Sequence, residues 1–235
     1  YLQSRVGVAE PGMEYTDAGL NSLVAITNRF VASNEGSHTT TVAFVPATRA
    51  RRTIAKDGNM HLLDNNNMFG KTDTTNWFSF LCRFESGSAD AYFGLELTGD
   101  GTEEKQSSRF VIGKPKDTTT WGLQMQGGYA ASGIDALSSS GAFLVARVIF
   151  RAGNESADLW VDPEFGPEPP MTPSAHLDNV TNFVWSRVGI VSHQGSIECP
   201  IVSVDEIRVG EDWTSVTPFI PEPMSVGMAA IVALA

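Results

Sequence analysis

Short runs in which apolar and polar residues alternate are the feature that most constrains the fold of this chain. The clearest run is Trp77 to Phe84, where every second residue, Phe78, Phe80, Cys82 and Phe84, is apolar. The same period recurs from Ala91 to Thr98 and from Trp121 to Gln126. A period of two places successive side chains on opposite faces of a strand. Several such runs, separated by turn-rich segments, predict an antiparallel sandwich or barrel.

One run departs from alternation in an informative way. Gly141 to Phe150 is almost continuously apolar and is interrupted only by Arg147. Such a run is typical of a central strand that is covered on both faces. Further strands are predicted at Arg109–Gly113, Ala157–Asp162 and Val184–Val191.

The last strong strand, Val202 to Val209, changes phase along its length. Val204 would face one side and Ile207 the other, so a β-bulge is predicted near Asp205 and Glu206.

Gly127-Gly128, before Tyr129, is interpreted as a turn rather than as a phosphate-binding loop. The residues predicted to be buried are Phe80, Phe93, Val145, Leu159, Val188 and Ile207.

Composition limits both the number of domains and the possible partners. The chain has 235 residues with 42% hydrophobic content, enough for one domain with a full core. Its net charge is −11 and its pI is near 4.7. Nucleic-acid binding needs a basic surface, so no nucleic-acid partner is expected. Docking on anionic lipid headgroups is disfavoured for the same reason.

A series of segments, in order along the chain, resembles a known family. They are Asn76–Leu81, Phe110–Lys114, Leu144–Phe150, Asp158–Pro163 and Val204–Gly210. Together they are similar to the LamG/concanavalin A-like domains. The resemblance implies an all-β fold, a jelly-roll sandwich of two antiparallel sheets. Members of that family include lectins, glycan hydrolases and domains without an assigned activity, so the fold leaves the function open.

The C-terminal segment carries a second resemblance. Pro221, Glu222 and Pro223 open an apolar run from Met224 to Ala235, and this arrangement resembles a PEP-CTERM sorting tag. The resemblance implies export to the cell envelope, cell surface or extracellular matrix of a Gram-negative-type bacterium, processing by an exosortase-type enzyme, and membrane contact only through the tail. The run has 12 residues and no basic end, whereas a membrane span needs about 20, so the tag is expected to be incomplete. An ordinary terminal strand or short helix is the alternative.

These observations divide the chain into three parts. Residues 1–13 are an N-terminal segment that is expected to be truncated, residues 14–217 form the concanavalin A/LamG-like sandwich, and residues 218–235 form the sorting tail. The expected function is that of an exported, non-catalytic surface or matrix module that binds carbohydrate or acts in adhesion, with a glycan or matrix component as its partner.

The alternative function is a glycan-active enzyme, a glycoside hydrolase or lyase of the concanavalin A-like superfamily. Glucanases of that superfamily carry the pattern Glu-x-Asp-x-x-Glu on one strand, which places carboxylates on one face for acid and nucleophile roles. This chain lacks the pattern. Its nearest acidic strand holds Asp205 and Glu206, with Glu211 beyond it, so no catalytic residue is predicted.

The candidate ligand-binding residues are Trp160 and its neighbours Asp158 and Asp162. All three are expected on one face of a short strand, where an outward indole could stack on a sugar ring and the carboxylates could accept hydroxyl hydrogen bonds. The alternative is that Trp160 packs in the core or against an edge, as most tryptophans of a sandwich do.

The residues predict no cofactor and no metal site. His38, His61, His176 and His193 show no zinc-ligand spacing. Calcium is a candidate because relatives of this family hold it with loop oxygens. Asp64–Asn67 and Asp100–Glu104 have the required chemistry, although both segments are equally typical of turns. Cys82 and Cys199 are compatible with a disulfide bond or with two free thiols.

The tail analysis predicts the effect of a truncation. A chain that ends at Thr217 should keep its melting temperature and gain solubility, because Pro221 and Pro223 lack the N–H that helices and central strands require. Thermal unfolding of the two chains checks this prediction. A fall of more than about 5 °C, on the order of 2 kcal/mol, would show that residues 218–235 belong to the core.

Overall fold

The protein folds as two antiparallel β-sheets packed face to face. A computed structural model describes residues 47–53 (as backbone), 60–99, 109–125, 128–193 and 200–217. Within these residues, eleven strands form a six-stranded and a five-stranded sheet, and every strand pair is antiparallel. The predicted two-sheet sandwich is therefore confirmed.

The six-stranded sheet has the order β1-β10-β3-β4-β5-β6, and the five-stranded sheet has the order β11-β2-β7-β8-β9. The strands are β1 (Ala47–Thr53), β2 (Thr75–Ser86), β3 (Tyr92–Thr98), β4 (Phe110–Lys114), β5 (Thr120–Met125), β6 (Gly128–Asp135), β7 (Ala142–Ile149), β8 (Glu155–Val161), β9 (Ala175–Val180), β10 (Arg187–His193) and β11 (Ile201–Gly210). A short 3₁₀ helix (Met60–Leu62) and one turn of helix, α1 (Trp213–Val216), complete the described elements.

The core lies between the two sheets and is built by the alternating residues. The predicted face of β2 points into it, with Phe78 and Phe80 fully buried. Of the six residues predicted to be buried, Phe80, Phe93, Val145, Leu159 and Val188 are buried. Ile207 is partly buried and packs against the same core.

The predicted bulge in β11 is confirmed. The pairing of β11 with β2 shifts between Asp205 and Arg208, and Glu206 has a φ of +53°. The extra residue restores the phase, so Ile207 and Val209 pack against the core that Val204 also enters.

Of the predicted turn at Gly127-Gly128, Gly127 lies outside the described residues, whereas Gly128 begins strand β6 and pairs with Met125 at the end of β5. This strand lies at one edge of the six-stranded sheet, and most of its residues are exposed. An exposed edge strand of small and polar residues has no buried face, so it shows no alternation that a sequence pattern could detect. Strands β1 and β9, also at sheet edges, were not predicted either.

Strand β7 occupies the centre of the five-stranded sheet, as its apolar run predicted. Ala146 and Val148 face the inter-sheet core, whereas Val145 is fully buried on the opposite, outer face. The outer face of the five-stranded sheet is therefore covered in part, and its cover forms the candidate site. Among the described residues, no helix is long and apolar enough to cross a membrane. The predicted sorting tail, with Pro221, Glu222 and Pro223, lies outside the described residues.

A pair of glycines allows β3 and β4 to approach closely. Gly94 and Gly113 are direct partners in the ladder, and their φ values are +140° and +155°. A Cβ atom on Gly94 would lie 2.2 Å from the carbonyl oxygen of Ile112. The six-stranded sheet therefore requires the absence of a side chain at this crossing.

Replacing Gly94 by alanine should lower the free energy of unfolding by about 2 kcal/mol or more, because the substitution adds a backbone clash to an unfavourable φ. Gly128→Ala is the matched control within the same sheet, since no atom lies within 4 Å of the position of its added Cβ. Urea unfolding of the two variants measures the difference. Equal stability of Gly94→Ala and wild type would mean that β3 and β4 separate at no cost.

Candidate functional site on the outer face of the five-stranded sheet

Four residues that are distant in sequence form one row across the outer face of the five-stranded sheet. Trp77 on β2 pairs with Arg147 on β7, Arg147 pairs with Asp158 on β8, and Asp158 pairs with His176 on β9. Antiparallel pairing places directly opposed side chains on the same face, about 5 Å apart. The ladder register therefore brings an indole, a guanidinium, a carboxylate and an imidazole together.

Three indole rings, from Trp77, Trp160 and Trp213, form the tryptophan cluster on the same face of the sheet. Trp77 and Trp160 are stacked with their centroids 5.5 Å apart, and Trp213 meets both rings edge-on at 5.8 and 5.9 Å. Trp160 lies on the outer face, as expected, but only 3% of its surface is exposed. Its ring has no open face on which a sugar could stack. Trp160 therefore packs against neighbouring side chains, as the alternative interpretation of this residue predicted.

Helix α1 brings Trp213 onto the sheet. Asp212 caps the helix: its Oδ1 accepts a hydrogen bond from the amide of Ser215 at 2.8 Å, and its own amide donates to Ser215 Oγ at 3.3 Å. The bond from the Ser215 amide holds the pKa of Asp212 below its usual range. Ser79 on β2 fastens the other end of the helix by donating to the carbonyl of Val216 at 2.5 Å. The short helix thus closes over the centre of the sheet.

Arg147 and Asp158 form a partly buried ion pair beneath the rings. Arg147 Nε and Nη2 donate to Asp158 Oδ2 at 2.9 and 2.6 Å. The guanidinium also lies 5.3 Å from the ring centroid of Trp77 and 5.5 Å from that of Trp160. It therefore makes a charge-assisted hydrogen-bonded pair and two cation–π contacts at once. The lone charge within the apolar run of β7 was the sequence signal for this position.

His176 extends the pair into a chain of alternating charges. Its Nδ1 lies 2.6 Å from Asp158 Oδ1, and its Nε2 lies 3.0 Å from Asp178 Oδ1. Only the protonated ring can donate from both nitrogens. The hydrogen bond to Asp158 is the main cause that raises the pKa of His176, and the bond to Asp178 adds to it. We call Arg147, Asp158, His176 and Asp178 the ionic row.

Asp162, the third predicted ligand residue, is separate from the ionic row. It follows the last residue of β8 with a φ of +47°. Its Oδ1 accepts the amide hydrogen of Phe143 at 2.7 Å, and its own amide donates to the Phe143 carbonyl at 2.8 Å. The side chain ends the pairing of β7 with β8. Arg147 thus brings together two of the three predicted residues, Trp160 and Asp158, whereas Asp162 begins the next loop.

This loop, residues 162–174, is named the proline-rich loop because it contains five prolines. Two indoles of the tryptophan cluster hold it: Trp213 Nε1 donates to the Gly166 carbonyl at 2.8 Å, and Trp160 Nε1 donates to the Pro170 carbonyl at 3.0 Å. Phe165 is 46% exposed and meets Phe143 edge-on, with centroids 5.5 Å apart. The loop therefore covers Trp160 and presents a different aromatic ring to solvent.

The acidic residues of β11 lie at the other edge of the sheet. Glu206 accepts a hydrogen bond from Arg208 Nη2 at 3.0 Å. Asp205 is 5% exposed, and burial raises its pKa to about 6. The Glu206 carboxylate is thus engaged by Arg208, and its charge adds to the raised pKa of Asp205.

The loops considered for calcium are only partly described. Asp64 Oδ1 accepts hydrogen bonds from the amides of Asn66 and Met68, at 2.9 and 2.8 Å, so this carboxylate closes a turn. Residues 100–104 lie outside the described residues. In the described part of the chain, no group of three His, Cys, Asp or Glu side chains is arranged to hold a metal ion. Calcium stays a candidate ligand that the described residues leave untested.

Cys82 is a buried free thiol on the core face of β2, and burial raises its pKa. Its proposed partner Cys199 lies outside the described residues. The thiol packs as a small apolar group in the inter-sheet core.

The stabilising effect of the ionic row should depend on pH. Because the folded-state pKa of His176 is raised above the unfolded value of about 6.5, its contribution is fully present below about pH 6.5 and is lost as the pH rises through the folded-state pKa. The difference in urea midpoint between wild type and His176→Gln should therefore be larger at pH 6 than at pH 9.

His61→Gln is the matched control for this measurement. His61 is also exposed, and it contacts one exposed carboxylate, Glu211, at 2.8 Å. It lies near the opposite edge of the five-stranded sheet, since Glu211 directly follows β11. If the urea midpoint of wild type exceeds that of His176→Gln by more at pH 9 than at pH 6, the inference that a protonated His176 stabilises the ionic row is wrong.

Comparison with known proteins finds similarity at the level of structure alone. No protein-family model and no curated protein matches the chain. One similar solved structure is a bifunctional GH43-CE protein of Bacteroides eggerthii, with 10% identity, a TM-score of 0.40 and coverage of 72% of this chain. This chain spans 23% of the length of that protein.

Two further structures show comparable similarity. The heptameric SAP-like pentraxin of Limulus polyphemus has 11% identity and a TM-score of 0.36, over 60% of this chain and 65% of its own. The CBM2 module of the evolved Dit of Lactobacillus casei BL23 phage J-1 has 10% identity and a TM-score of 0.37, over 73% and 71%. At these values, the likenesses assign no family and no function to this chain.

Proposed function

We propose that this chain is an exported, non-catalytic module of the cell surface or extracellular matrix that binds a glycan. The observation that carries the proposal is the outer face of the five-stranded sheet. Its buried charges are paired with one another, its loop is held by two indole hydrogen bonds, and polar and aromatic side chains are exposed at its rim. Such a preformed surface binds without the entropy cost of ordering itself.

The pairing of the carboxylates supports a binding role over catalysis. Glycoside hydrolysis needs one carboxylic acid that donates a proton and a second carboxylate on the other side of the bond that is cleaved. Asp158 is instead held between Arg147 and His176, with contacts of 2.6 Å to each. Both oxygens of Asp158 are therefore already engaged within the sheet surface, and neither is directed at a bound ligand.

One observation favours the alternative of a glycan-active enzyme. The raised pKa of Asp205, about 6, is the property required of a general acid near neutral pH. Asp205 lies on β11, whereas the ionic row spans β7, β8 and β9, so the two functions depend on different residues and are separable by mutation.

Export is supported by the resemblance of the tail, Pro221-Glu222-Pro223 followed by an apolar run, to a sorting tag. In this proposal an exosortase-type enzyme processes the tail, and the sandwich is retained at the envelope or released to the matrix. The acidic net charge of −11 is compatible with a secreted module whose partner is neither nucleic acid nor an anionic membrane surface.

Glycan binding and turnover should be measured on the same panel of glycans with the full chain. We expect retention of at least one glycan without release of a shorter product, and we expect Asp205→Asn to leave both results unchanged. Product release that disappears in Asp205→Asn would establish the enzyme alternative. Retention of no glycan would overturn the proposed binding function.

A further inference from the structure

The proline-rich loop has a fixed shape. Its two carbonyl contacts, at Gly166 and Pro170, are fastened by indoles that are themselves buried in the tryptophan cluster. Ser174 Oγ, at its end, accepts the amide hydrogen of Val161 at 3.1 Å. Proline also fixes φ at five of its positions. A ligand that binds to this loop therefore meets a surface that loses little conformational entropy.

The fixed shape holds apolar side chains outward. Phe165 is 46% exposed and Met171 is fully exposed, although both belong to residue types that are usually buried. The contact with Phe143 sets the orientation of the Phe165 ring while leaving much of its surface in water. The C–H groups on one face of a sugar ring match such a surface, because they are apolar and are attracted to the negative face of an aromatic ring.

The loop is also acidic. Asp162, Glu164 and Glu168 are exposed, and residues 162–174 contain no lysine or arginine. Carboxylates beside an aromatic ring accept hydrogen bonds from hydroxyl or ammonium groups. They repel carboxylate and sulfate groups at the same distance. The charge therefore selects among glycans that the ring alone would accept equally.

We infer that the proline-rich loop is the glycan contact of this protein. Phe165 stacks on a sugar ring, Glu164 and Glu168 accept hydrogen bonds from it, and the ligand is a neutral or amine-bearing glycan rather than a uronate or a sulfated one. This inference rests on the proposed function and names its site and ligand class. It replaces the buried Trp160 with the exposed Phe165 as the stacking residue.

The stacking role is tested by titration calorimetry of the full chain with cello-, N-acetylglucosamine and glucosamine oligosaccharides. Phe165→Ala should weaken the best-bound probe about tenfold, which corresponds to about 1.4 kcal/mol. Phe165→Leu should weaken it to a similar extent, because leucine is apolar but has no flat ring. Tyr129→Ala is the matched control, since Tyr129 is 56% exposed but lies on β6 of the other sheet. It should leave the affinity unchanged.

The charge selection is tested with oligogalacturonate as the acidic probe. It should bind at least tenfold more weakly than the glucosamine oligomer at low salt. In the double variant Glu164→Gln, Glu168→Gln, the affinities for the two oligomers should differ by less. A smaller difference at high salt is also expected, because exposed charges are screened. Oligogalacturonate that binds as tightly as the glucosamine oligomer would overturn the ligand class.

The outcomes separate this inference from the function on which it rests. If a glycan binds and none of the Phe165 variants changes its affinity, the loop assignment is wrong and the proposed function stands. If Phe165→Leu binds as wild type whereas Phe165→Ala does not, the contact is apolar without stacking, and the stacking role is wrong. If no glycan binds the wild-type chain, the proposed function and the inference both fail. The melting temperature of each variant, which should be unchanged at these exposed positions, excludes loss of fold as the cause.

Discussion

The outer face of the five-stranded sheet must be covered, and the tryptophan cluster supplies the cover. Strand β7 is apolar on both faces, so a sheet packed on one side only would leave Val145 in water. Trp77 and Trp160 flank this residue from the neighbouring strands, and Trp213 reaches it from helix α1. The position of α1, the anchoring of the proline-rich loop and the burial of the Arg147–Asp158 pair all depend on this second, smaller core.

The inter-sheet core and the bulge in β11 could be predicted from the sequence, because burial on one face of a strand produces a local pattern of apolar residues. A half-buried strand needs an apolar residue at every second position, so the faces of β2 and β3 were assigned correctly. The bulge in β11 was equally local, because the phase of the apolar residues changes between Val204 and Ile207. Strand β6 has no such pattern, since most of its side chains are exposed.

The candidate site could be predicted only in part because it depends on register. Trp160 and Asp158 are neighbours on one strand, so the sequence placed them on one face. Arg147 and His176 join them only because β7 and β9 pair with β8 at particular residues, and no local pattern specifies which residues are opposed. The burial of Trp160 depends on contacts from more distant segments, the helix with Trp213 and the carbonyl of Pro170. The sheet face on which the Trp160 side chain lies was therefore predictable, but its solvent exposure was not.

The interactions that bury Trp160 also determine what the surface presents instead. An indole on an outer face needs an acceptor for its N–H once it is covered. The acceptors here are backbone carbonyls of the proline-rich loop, which two such bonds fix against the sheet. A loop fixed through its backbone leaves its side chains available, and Phe165, Glu164 and Glu168 project from it into water. Burial of one aromatic ring and presentation of another are thus two consequences of the same pair of hydrogen bonds, and the proposed ligand contact therefore lies on the loop rather than on the strand.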